Sequence, residues 1–228
     1  MGIAFINFYH VSSSMQNPSP SPIMGSKLPK HLQDVFQLWD ELADLGMDQS
    51  EAALKHLMEC LCAWLDAQDA FWLGTVHVMD CPPDKHKDPL SGWRIRSVEP
   101  LNPQYHDVQH YKKIVREDSH GNLELGATSI ALAASAGQFR ACTLQSGELV
   151  DLRAFKKTLH YDFYYRQQGV LDRIWVVMPV NADTESYFCF DRMGCGYHFN
   201  EDDLEPVSYT HLRAHETVLD LVCRLLLE

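Results

Sequence analysis

Apolar residues first become regular at Val35, Leu38, Trp39, Leu42 and Leu45. This i, i+3, i+4, i+7 stripe predicts a helix with one buried face, and Gly46 stands where a left-handed C-terminal cap belongs. Asp48 followed by Glu51 has the order of a capping box, and Leu54, Leu57, Met58, Leu61 and Leu65 run down one side of a second helix. Residues 70–79 are aromatic and β-branched without helix caps, which predicts a strand buried on both faces. Residues 93–98 alternate and pair naturally with it, across a polar loop rich in breakers at 81–89.

Tyr105, Val108, Tyr111, Ile114 and Val115 mark a further helix, and residues 128–136 a small-residue helix stopped by Gly137. A strand follows at 139–144, then short helices at 151–157 and 161–168, the second ending at Gly169. Residues 173–180 and 185–190 form two strands joined by a hairpin-like turn, and acidic residues at 199–204 open a last helix. Together these elements predict one α+β domain, a mostly antiparallel sheet flanked by helices, over residues 28–205.

The two ends fall outside this pattern. Residues 1–27 have linker composition, with Met15 and Met24 as alternative starts, and are expected to be disordered or mis-started. Residues 206–228 resemble a translated transposon-type sequencing adapter. Pro206 to Thr217 follow its codons, and Asp220 to Glu228 follow the flow-cell primer beyond the variable index at Val218 and Leu219. The expectation is a non-native tail on a fragment whose own sequence reaches about Glu205, although Val218, Leu221, Val222 and Leu225 also fit a native amphipathic helix.

At 228 residues and 46% hydrophobic, the chain is long enough to bury a substantial core. A net charge of -12 repels phosphate backbones, so this stretch is not expected to grip nucleic acid itself. No apolar run reaches membrane-span length and no secretory signal opens the chain, so no membrane partner and a cytoplasmic location are expected. Seven cysteines without regular spacing read as buried thiols.

Candidate chemistry is sparse. The chain has no phosphate-cradling glycine motif, no Gly-x-Ser-x-Gly elbow and no His-Glu-x-x-His pair. His160 and Asp162 could form an acid-base pair, but a histidine at a helix start more often caps or packs, so no enzyme and no catalytic residue are expected. Cys189, Cys195 and His198, or Cys60 and Cys62, could suggest a metal or redox sensor. Neither group has Cys-x-x-Cys spacing, so no metal and no cofactor are assigned. The densest unusual stretch is aromatic: Phe155, His160, Tyr161, Phe163, Tyr164, Tyr165 and Trp175 crowd around Arg166 and Arg173. A small-molecule pocket and an aromatic core with snorkelling arginines are equally open readings of it.

Specific strings add a resemblance. Residues 136–140 (Ala-Gly-Gln-Phe-Arg), 155–169, 172–176 and 179–181, with Glu185, Phe188, Phe190, Asp191 and Arg192, resemble the N-terminal GAF-like sensory region of bacterial LuxR-type helix-turn-helix transcriptional regulators. The similarity covers about Leu28 to Leu204. It implies a signal-sensing domain whose DNA contact belongs to a C-terminal helix-turn-helix domain absent here, responding to an unidentified small-molecule or protein signal. It supplies no catalytic residues. Phe71, Trp72, Phe139, Arg140, Tyr161, Tyr165, Arg173 and Trp175 are the candidate ligand-binding residues. The helices before the sheet, with their two apolar stripes, are expected to support a homodimer. The alternative is a stand-alone small-molecule or protein-binding module, with a metal or redox sensor behind it.

Overall fold

The computed structural model describes residues 30–78, 88–105, 126–194, 196–204 and 207. The expected helix around Tyr105 to Val115, the loop at 81–87, Cys195 and both chain ends lie outside these residues, apart from Tyr105 itself, which closes a short 3-10 turn.

Helices α1 (Lys30–Ala43) and α2 (Ser50–Leu65) carry the two predicted stripes. The cap prediction at Gly46 fails. Its φ of -67° is not left-handed, and its N–H donates to Gln49 Oε1 at 2.9 Å to start a 3-10 turn, Met47–Gln49. The predicted box at Asp48 and Glu51 is therefore replaced by this Gly46–Gln49 pairing. α2 ends instead at Asp66, whose φ of 49° is left-handed. Arg192 completes that end by donating to the Leu65 carbonyl at 2.7 Å and the Asp66 carbonyl at 3.3 Å, placing a cation where the helix leaves unpaired acceptors.

The five strands are β1 (Asp69–His77), β2 (Trp93–Pro100), β3 (Arg140–Thr143), β4 (Val170–Asn181) and β5 (Thr184–Met193). They form one sheet in the order β2-β1-β5-β4-β3, with every pairing antiparallel. The β4–β5 hairpin is the predicted one, lengthened at both ends, and Asn181 Oδ1 accepts from the Asp183 N–H within its turn.

Helix α3 (Ala127–Ala134) lies between β2 and β3 in sequence. Short helices α4 (Leu152–Phe155) and α5 (Leu159–Tyr161) follow β3, and α5 runs on into a π-helical turn, Asp162–Arg166. Each start has a side-chain cap: Asp151 accepts from the Arg153 and Ala154 amides, and Thr158 from the Tyr161 amide. The elements end at C-caps Ser135 and Gln167, and Gly137 and Gly169, two residues further on, take φ 87° and 74°, where a Cβ would be strained.

Alternation divides the sheet between two cores. One face buries Ala70, Trp72, Ile174, Val176, Phe188 and Phe190 against the stripes of α1 and α2. The other buries Phe71, Cys142, Trp175, Val177, Tyr187 and Cys189 with Leu132, Phe155 and Tyr165 from the later helices. The stripes that motivated a homodimer are thus spent inside the chain: Leu38, Leu42, Leu54 and Leu57 are all buried. No helix among the described residues is long and apolar enough to cross a membrane.

Candidate functional site

The face turned away from α1 and α2 carries most of the candidate residues. Phe71 from β1, Arg173 and Trp175 from β4 and Arg140 from β3 reach it through strand register, because Arg140 pairs with Val177 and Arg173 with Asp191. Tyr161 and Tyr165 arrive from α5 and the π-helical turn, stacked with ring centroids 5.4 Å apart. Phe155 meets both edge-on at 5.5 Å. Six of the eight predicted residues are therefore brought to one side of the sheet.

Trp72 and Phe139 are not. Trp72 is fully buried in the opposite core, where its indole N–H donates to Ser186 Oγ at 2.7 Å, and Phe139 packs against that same core. Both are withdrawn from the site. The reason is geometric: Phe71 and Trp72 are neighbours on one strand and must point to opposite faces.

Both arginines on the site face are occupied. Arg173 forms a two-pronged pair with Asp191, Nε to Oδ1 at 2.5 Å and Nη2 to Oδ2 at 2.6 Å. Its guanidinium lies 4.7 Å from the Phe71 ring and 4.7 Å from the Tyr165 ring. Burial opposes the Arg173 charge, but the Asp191 carboxylate more than offsets it, so this guanidinium stays protonated. Arg140 pairs with Glu185 at 2.9 and 3.2 Å and also donates to the Ser135 carbonyl. Glu185 accepts in addition from the Tyr187 hydroxyl at 2.6 Å and the Gly137 amide at 2.7 Å.

Glu185, Tyr187 and Asp191 were missed as site residues. Their signal was the period-2 spacing of Glu185, Tyr187, Cys189 and Asp191 on β5, which puts an acid at each end of one strand face. The result is an apolar middle, Trp175 and Cys189, bounded by two compensated charge pairs. Phe71, Tyr165, Arg173, Trp175, Cys189 and Asp191 are all buried here.

Burial pushes the Tyr165 hydroxyl up to about 12 and the Cys142 thiol up to about 11. Burial and then Glu185 raise Tyr187, and burial raises Cys189. On the other side, burial pushes Cys62 up to about 12. At neutral pH these thiols keep their protons, which makes them poor nucleophiles and weakens the redox-sensor alternative for them. His160, half of the acid-base pair considered from sequence, packs against the rings of Phe155 and Tyr164.

The raised values predict a pH dependence. Each group holds its proton more tightly folded than unfolded, so its stabilising share is complete below about pH 9 and is lost as pH climbs toward about 12. The urea midpoint is expected to hold steady between about pH 7 and 8.5 and to fall above about pH 9.5. A midpoint unchanged up to about pH 11 would show that these groups are not buried as described.

No protein-family model matches the chain, and no curated protein matches it. Solved structures do resemble it. The LBD domain of VqsR from Pseudomonas aeruginosa aligns with a TM-score of 0.53 at 11% identity, over 85% of this chain and 95% of that one. SdiA in complex with octanoyl-rac-glycerol aligns with a TM-score of 0.50 at 10% identity, over 88% of this chain and 69% of that one. At such low identities the likeness is one of fold: this chain has the α+β architecture of these domains, a five-stranded antiparallel sheet with flanking helices.

Proposed function

We propose that this chain is the signal-sensing domain of a LuxR-type transcription regulator, and that it takes a small amphiphile with an acyl chain on the sheet face bearing Phe71, Arg140, Tyr161, Tyr165, Arg173 and Trp175. The observation that carries the reading is the convergence of these side chains beneath α3, α4 and α5, with apolar groups in the middle and charge pairs at the ends. The shared fold supports it, since one protein of that fold is held with octanoyl-rac-glycerol. The acidic charge fits a domain that acts on DNA only through a separate helix-turn-helix domain. A ligand preferring one conformation of the sensor would shift the attached domain by its differential affinity.

Octanoyl-rac-glycerol is the first probe, titrated into the chain while melting temperature is followed. A saturable rise is expected, with stabilisation near 2.7 kcal/mol at a hundredfold excess over Kd. Tyr161→Ala, which removes a half-buried ring on this face, is expected to weaken binding about tenfold, or about 1.4 kcal/mol. A melting temperature that stays flat throughout, or a rise that Tyr161→Ala and Trp175→Leu both leave intact, would overturn this placement of the ligand.

A further inference from the structure

On the opposite side of the molecule, at the seam between α1 and α2, Glu41, His56 and Cys60 form a compact cluster of donor atoms. His56 and Cys60 are one helical turn apart on α2, so both project from the same face, while Glu41 arrives from α1. His56 Nε2 lies 2.8 Å from Glu41 Oε2 and 3.8 Å from Cys60 Sγ, and all three donor atoms fall within 4.8 Å of one another. Around a tetrahedral zinc ion, bond lengths of about 2.0–2.3 Å put donor atoms roughly 3.3–3.6 Å apart. The observed separations bracket that spacing, so small side-chain adjustments would close the site.

We infer that this trio is a binding site for a borderline-soft divalent cation of the zinc class, held by one imidazole, one thiolate and one carboxylate. The donor set selects the metal: magnesium and calcium prefer oxygen, whereas a thiolate beside an imidazole suits zinc or cobalt. On binding, the Cys60 thiol releases its proton to solvent, His56 ligates through Nε2 with its proton on Nδ1, and Glu41 ligates through Oε2. Gln37 donates to the other oxygen, Glu41 Oε1, at 2.8 Å, which holds the carboxylate with Oε2 toward the cluster. The side chains of His56 and Glu41 are 36% and 40% exposed, leaving a path for the ion and room for water as a fourth ligand.

An interhelical Glu41–His56 ion pair and an i,i+4 contact between Cys60 and His56 bring the three donors together, and a single cation would use all of them. The inference is independent of the sensor reading, because the trio touches none of the residues on the other sheet face.

The test uses the full chain with Cys81, Cys195 and Cys223 changed to serine and Co(II) as the spectroscopic probe. One equivalent is expected to produce a thiolate-to-metal charge-transfer band that Zn(II) then bleaches. Cys60→Ser should abolish the band while leaving the circular dichroism spectrum unchanged. Gln37→Ala, which keeps every ligand, should weaken Co(II) affinity about tenfold. The site would be refuted by the absence of any such band, by a band that survives Cys60→Ser, or by Gln37→Ala and His56→Gln both binding as tightly as the parent.

Discussion

Changing Asp191 to asparagine is expected to remove about 3–5 kcal/mol of stability, read as a lowered urea midpoint. Asp191 is 1% exposed and its partner Arg173 is 5% exposed, so neither charge has water to fall back on. With Asp191 neutral, the guanidinium would keep its charge between the Phe71 and Tyr165 rings. Those ring contacts, worth up to about 2 kcal/mol when desolvated, do not replace a two-pronged carboxylate. The converse follows from the same physics: Arg173→Met combined with Asp191→Leu removes both charges and should regain most of the loss. A single Asp191→Asn variant within about 1 kcal/mol of the parent would show that the pair is reached by water.

Glu185→Ala is the second large effect, expected at about 3–5 kcal/mol, with a local signature the first lacks. Glu185 is fully buried and accepts four hydrogen bonds, two from Arg140 and one each from Gly137 and Tyr187. Its loss would strand the Arg140 charge on β3, a four-residue edge strand. Amide exchange should therefore quicken in Arg140–Thr143 well before it changes in β1 or β2. Tyr187→Phe removes one donor and its acceptor loses only one of four bonds, so a loss near 1 kcal/mol is expected. If Glu185→Ala lowered the urea midpoint no more, and quickened exchange in β3 no more, than Tyr187→Phe does, the carboxylate would not be the anchor of that edge.

Periodicity made much of this architecture readable. The stripes of α1 and α2 lie where the sequence places them, and the β4–β5 hairpin is local enough for alternation and turn chemistry to reveal it. Gly137 and Gly169 signalled the left-handed turns just beyond their helices because a positive φ has a residue signature. Gly46 misled because the same residue serves in an extended conformation, where it marks nothing. The site was legible only in part. Choosing Phe71 with Trp72, and Phe139 with Arg140, set aside the alternation that sends strand neighbours to opposite faces. Pairing Arg140 with Glu185 required knowing, beyond the β4–β5 hairpin, that β3 lies next to β4, and no local pattern encodes that adjacency. The π-helical turn that delivers Tyr165 likewise left no separate mark in the spacing.

The strand order also bears on how the chain reaches this fold. β1 with β2 and β4 with β5 are short-range hairpins, and they meet only along the β1–β5 ladder. The bond from the Trp72 indole to the Ser186 hydroxyl crosses that ladder between residues 114 positions apart. Closing a loop of that length costs about 4 kcal/mol in chain entropy beyond the fixed term, and nothing repays it until both hairpins have a surface to offer. The ladder is therefore expected to be the late encounter of folding, so the same seam that unites the sheet is expected to limit its speed.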